Sequence, residues 1–121
     1  MDLSFQDIGW LSCLLGASND QIKDLLKAYL ERDPTIAEFE KTLHCKRVTT
    51  FLVATIRIGR QPEKDPRVLD ALLARPIKPA SEYLKEGITT GEIAEKKGLE
   101  LTLYSLGWLT EYLNHQKQRE Q

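Results

Sequence analysis

Apolar residues recur at three- and four-residue intervals along most of this chain, and the polar residues between them mark where each run begins and ends. Ser4 reads as an N-cap, and Asp7 three residues on favours the positive end of a helix. Phe5, Ile8, Leu11 and Leu15 then share one helical face, and Gly16 ends the run. Ser18 with Gln21 has the form of a capping box, so a second helix starts there with Ile22, Leu25, Leu26 and Tyr29 facing inward. Asp33-Pro34 closes it and opens a third, because proline is tolerated at the first helical position.

Residues 34–58 are the ambiguous stretch. Thr35-Ile36-Ala37-Glu38-Phe39-Glu40 begins well as a helix, whereas 47–58 is rich in β-branched residues that favour strands. Val48, Phe51, Leu52, Thr55 and Ile56 nevertheless keep helical spacing, and a lone strand has no partner elsewhere in the chain. Helix is therefore the expectation. Residues 59–64 read as a loop, and Asp65-Pro66 starts a short helix carrying Val68, Leu69, Leu72 and Leu73. Pro76 and Pro79 interrupt it, since neither fits a helix interior. Three more helices follow at 81–85, 91–97 and 99–114, with Thr89 and Glu92 capping the middle one. The expected fold is all-α, a compact bundle of six or seven short helices in a single domain over 1–116. Leu101, Tyr104, Trp108 and Tyr112 form its centre, and 117–121 is a frayed polar tail.

At 121 residues, 41% hydrophobic and 29% charged, the chain has enough apolar material for one modest core. No apolar run approaches the roughly 18 to 20 residues that span a bilayer, so no membrane partner is expected. The first residues lack the basic start of a signal peptide, and the expected location is cytoplasmic. Cys13, set among leucines, reads as a small core residue, and a reducing compartment disfavours a disulfide with Cys45. His44-Cys45 is too sparse for zinc, so no metal site is expected. With no Gly-rich phosphate loop or nucleophile motif, and with His44 and His115 lacking evident partners, neither enzymatic activity nor a cofactor is expected.

The net charge of −1 conceals a segregation. Residues 1–40 carry three basic and eight acidic side chains, 41–85 carry ten and four, and 86–121 carry four and six. The basic middle comprises Lys46, Arg47, Arg57, Arg60, Lys64, Arg67, Arg75 and Lys78, with Lys41 and Lys85 at its edges. It is either a surface for an anionic partner or a set of charges that pair internally on folding.

Within Trp10-Leu11-Ser12-Cys13-Leu14-Leu15-Gly16-Ala17-Ser18-Asn19-Asp20-Gln21-Ile22-Lys23-Asp24-Leu25-Leu26, small Ser12 precedes apolar Leu15 and the turn residue Gly16. Ile22 and Leu25 return the second helix onto the first. Over residues 4–30 this resembles the broad helix-turn-helix superfamily, in which the second helix enters the major groove of DNA. The resemblance implies a small DNA-binding regulator, with Asn19, Lys23 and Lys27 on the reading helix. Lys46, Arg47, Arg57, Arg60, Lys64 and Arg67 would supply phosphate contacts. Asp20 and Asp24 depart from that pattern by opposing the phosphate field. The same helix reads equally as a solvated face with charge pairing by Lys23 and Lys27.

Residues 90–99, with Ala94 and Gly98, look like a second such corner. The helix after it, however, has Leu, Tyr or Trp at nine of the fifteen positions 99–113, which predicts burial rather than a groove reader. Ile8-Gly9-Trp10-Leu11-Ser12 also echoes Leu106-Gly107-Trp108-Leu109-Thr110, but the turn glycines do not align at the same offset, so no duplication follows. The alternative function is a helical adaptor or inhibitor that docks on a larger protein or ribonucleoprotein. Segregated charge and abundant Trp, Tyr and Leu suit that role, and a homodimer remains open.

Overall fold

Capping chemistry sets the helix ends in the first half of the chain. In a computed structural model describing residues 4–31, 33–45, 48–59, 66–87 and 98–120, Ser4 and Asp7 form a reciprocal capping box on α1 (Phe5–Leu15). Ser18 and Gln21 do the same on α2 (Asn19–Leu30). The Asp33 carboxylate accepts from Thr35 N–H at 2.8 Å at the start of α3 (Pro34–Thr42), with Pro34 in the first turn. His44 takes a left-handed conformation (φ 54°) just past the end of α3. There follow α4 (Val48–Gly59), α5 (Pro66–Ala74), α6 (Ala80–Lys85) and α7 (Gly98–Glu120). Seven helices and no strand occur among the described residues, which makes the fold all-α. The helix expected at 91–97 lies outside them.

The β-branched segment is helical because its helical period, not its strand propensity, matches a surface it can bury. Val48, Leu52, Thr55 and Ile56 form the buried face of α4, which packs along α7. The buried Thr55 hydroxyl donates to the Phe51 carbonyl at 2.6 Å and so needs no outside partner.

All of residues 102–109 in α7 are buried, making this helix the axis around which the others assemble. Thr102 and Ser105, polar residues inside that axis, donate back to the Gly98 and Leu101 carbonyls at 2.7 and 2.8 Å. The Tyr104 hydroxyl donates to the Leu43 carbonyl, tying the end of α3 to the core. Trp108 stacks on Tyr112 at 5.4 Å, and Phe39 meets both rings edge-on. Tyr104, Trp108 and Tyr112 are fully buried as expected, while Leu101 is only partly so. The expected helix end near residue 114 is corrected, since α7 runs to Glu120 and Gln116 donates to the Tyr112 hydroxyl at 2.8 Å.

The two Gly-Trp echoes behave differently. A Cβ on Gly107 would come within 2.3 Å of the Lys78 carbonyl, so α7 can approach the 78–80 backbone only without a side chain there. A Cβ on Gly9 would meet nothing, and Trp10 is half-buried where Trp108 is enclosed. Two further expectations are corrected: Cys13 is exposed rather than in the core, and Phe5 is 80% exposed rather than on the buried face of α1.

Trp108 Nε1 is buried with no hydrogen-bond acceptor among the described residues, a cost of about 1–3 kcal/mol set against the packing of the ring. Trp108→Ala is expected to lower unfolding stability by about 3–5 kcal/mol. Trp108→Phe removes the unpaired donor with part of the volume and should cost clearly less. Gly107→Ala should cost about 1–3 kcal/mol through the backbone clash. Urea denaturation of the three variants checks all three outcomes.

Candidate functional site

The N-terminal corner is built as its sequence requires. Gly16 adopts a left-handed conformation (φ 66°), its N–H bonds to the Ser12 carbonyl, and Ala17 N–H reaches the same oxygen at 3.1 Å. The Ser12 hydroxyl donates to the Ala17 carbonyl, bracing the turn from inside. Ile22 and Leu25 bury the inner face of α2, and α1 packs on α2.

Asn19, Lys23 and Lys27 all lie exposed on α2 at four-residue spacing, so they form one outward stripe. Lys23 is not simply solvated: its ammonium sits 5.2 Å from the centroid of the Phe5 ring, which it partly covers. Beside the stripe, Asp20, Asp24 and Glu31 are exposed as well. The outer surface of α2 thus carries two ammonium groups against two carboxylates, with a third just past its end, a poor match to a phosphate backbone.

The basic middle does not gather into one described patch. Arg57, near the end of α4, and Arg67, in the first turn of α5, are both exposed on helices that pack against each other. Lys46, Arg47, Arg60 and Lys64 lie outside the described residues. Lys78 is neutralised by Glu86 at 2.7 Å and also lies 4.9 Å from the Tyr83 ring. The hydrogen bond to Glu86 holds the Lys78 pKa above its ordinary value, and burial pushes the Tyr83 phenol up.

A broad concave surface lies where the sequence reading did not point. A groove of about 530 Å³ runs between α1, α5 and the segment that follows α5. Trp10 and Leu14 form one wall, Leu73 and Ile77 the other, with Cys13 at the lip. Arg75 is the one charged residue among those lining it. Leu73 is 70% exposed although its neighbour Leu72 is buried. The sequence did hold a signal: adjacent residues on a helix point about 100° apart, so a Leu-Leu pair on a thin helix cannot send both side chains into one core. Trp10 and Leu14 likewise lie off the Ile8–Leu11 face.

A smaller cleft of about 220 Å³ separates α2 from the last turns of α7, where Asp24, Asp33, Gln116 and Lys117 alternate acceptors and donors. It exists because α7 continues past residue 114. Among the described residues there is no group of three His, Cys, Asp or Glu side chains able to hold a metal ion. His115 packs edge-on against Phe39 at 4.9 Å. No described helix is long and apolar enough to cross a membrane. No family model, curated protein or solved structure matches the chain.

Because nothing crowds the position of a Gly16 Cβ, replacement there probes backbone strain alone. Gly16→Ala is expected to cost about 1–2 kcal/mol, the usual penalty for an L-residue in this conformation. Gly16→Asn should cost less, since asparagine visits the left-handed region more readily. Thermal melts read both values.

Proposed function

We propose that this chain is a non-enzymatic helical interaction module of the adaptor or inhibitor kind, working in the cytoplasm and docking on another polypeptide through the α1–α5 groove. The observation that carries this reading is the groove itself. Half-buried Trp10, Leu14 and Ile77 and exposed Leu73 leave apolar surface to water along a concave line, as protein-binding sites do. The large aromatic residues of α7 take no part, because they are consumed by the core. Cys13 and Cys45 are both free thiols, which suits a reducing compartment.

A second reading, a DNA-binding regulator of helix-turn-helix type, is favoured by one observation. The α1–Gly16–α2 corner sets Asn19, Lys23 and Lys27 outward on its second helix. The adjacent carboxylates count against it, and the groove has no role in it.

Pull-down of the tagged full chain from its native cells, with and without nuclease, separates the two. The adaptor reading expects a protein retained through nuclease treatment and lost with Leu73→Asp. The DNA reading expects retention of generic duplex at about 50 mM salt, with affinity falling steeply as salt rises. In that case Lys23→Gln and Lys27→Gln weaken binding to all sequences alike, while Asp20→Asn and Asp24→Asn strengthen it. Failure to hold duplex even at low salt removes the DNA reading.

A further inference from the structure

The cleft between α2 and the last turns of α7 shares no lining residue with the α1–α5 groove, and its chemistry is different. We infer that it is a binding site for a small organic cation, a short alkyl chain ending in a guanidinium or ammonium group.

The fold fixes the polar side chains of this cleft while using only part of each. The Gln21 side-chain oxygen accepts from Ser18 N–H at 2.8 Å, which leaves the Gln21 amide nitrogen uncommitted. Asp33 is anchored by its backbone N–H on the Ala28 carbonyl at 2.9 Å, and its Oδ1 accepts from Thr35 N–H at 2.8 Å. Its Oδ2 is left over. Gln116 donates through Nε2 to the Tyr112 hydroxyl at 2.8 Å, so its Oε1 is left over as well. Asp24 and Lys117 line the same cleft without pairing with each other, and neither side chain bonds to another described residue. Groups held in this way lose little freedom when a ligand arrives, as in a preformed small-molecule site.

The uncommitted atoms of these residues are mostly acceptors. Both Asp24 carboxylate oxygens, Asp33 Oδ2 and Gln116 Oε1 stand against two donors, the Gln21 amide and the Lys117 ammonium. Two carboxylates against one ammonium leave the lining one negative charge in excess. A ligand matched to it carries several N–H donors and a positive charge. Buried Leu25 and Leu113, with Ala28, make up an apolar part of the lining, which asks for methylene groups behind the charged head. At about 220 Å³ the cleft is smaller than the roughly 300–1,000 Å³ of sites for drug-sized molecules, so the chain has to be short.

Titration of the isotope-labelled full chain with butylguanidinium, followed by its amide NMR shifts, tests the inference. Saturable shifts are expected around Ala28, Asp33 and Leu113, with a Kd of about 1 mM or tighter. The neutral isostere N-butylurea should bind about tenfold more weakly, because it lacks the charge that the carboxylates meet. Asp24→Asn and Asp33→Asn should each weaken the cation about tenfold, and asparagine keeps the helix cap at position 33. Lys117→Gln removes a like charge and should strengthen binding. Circular dichroism checks that the variants stay folded. A blocked tripeptide with arginine at its centre separates two sources of the same group. Tighter binding of the free cation assigns the cleft to a small molecule, and tighter binding of the peptide assigns it to an arginine side chain of a partner.

Absence of saturable shifts up to about 10 mM overturns the inference. So do shifts confined to surfaces away from α2 and α7, N-butylurea bound as tightly as the cation, or an affinity indifferent to both aspartate substitutions.

Discussion

A helix buried on every side leaves no surface for water, so all its polar groups need partners within the protein and every neighbour has to supply apolar cover. That is the condition imposed by residues 102–109 of α7, and the rest of the architecture follows from it. Thr102 and Ser105 meet the first demand by bonding back to their own helix, and Tyr104 by reaching the Leu43 carbonyl. The second is met by α4 along its length, by α6 at Gly107, and by Phe39 of α3 against the Trp108–Tyr112 stack. The Trp108 indole N–H, which meets no acceptor among the described residues, is where the arrangement is incompletely satisfied.

Enclosing α7 draws in most of the large aromatic residues and leaves the shorter helices with apolar surface in excess of what one axis can take up. α5 shows the consequence most clearly. It is nine residues long and contributes Leu72 to the core, while Leu73 stays exposed. α1 is in a similar position, with Leu11 fully buried and Trp10 and Leu14 left at the margin. The groove between them is the surplus of a small domain whose core is already full. A surplus of that kind is either a site of association or a hazard of aggregation. Its single lining charge favours a specific contact.

The N-terminal corner makes a different point. Its caps, its left-handed glycine and its inward apolar face are features that serve any tight corner between two helices. What distinguishes a reading helix is the charge on its outer surface. There α2 alternates Lys23 and Lys27 with Asp20 and Asp24, with Glu31 just past its end, while Lys23 is occupied in part by the Phe5 ring. Local geometry is therefore shared between functions, and only the electrostatics of the exposed side separates them.

Much of the fold was legible in the sequence because its determinants are local. The N-cap at Ser4, the capping box at Ser18, Pro34 at a helix start, Gly16 at a turn and the helical period of 48–58 each act within a few residues of themselves. The density of Leu, Tyr and Trp in 99–113 was enough to mark the central helix. Cys13 and Leu73 were not legible in the same way, since their surroundings in sequence are as apolar as those of Leu11 or Leu72, and Phe5 shares the helical spacing of Ile8 and Leu11 although it lies exposed in the first turn. Which of two neighbouring apolar residues is buried depends on how many helices surround the axis and on which side each approaches. The continuation of α7 through Glu120 likewise runs against the polarity of its last residues, in a segment where Gln116 bonds to Tyr112 and His115 packs on Phe39. The sequence by itself thus determined most of the described helices and the one that lies at the centre, through interactions spanning a turn or less. Only the tertiary structure decided which apolar residues were left outside and so where the groove lies, because burial depends on packing between segments far apart in the chain.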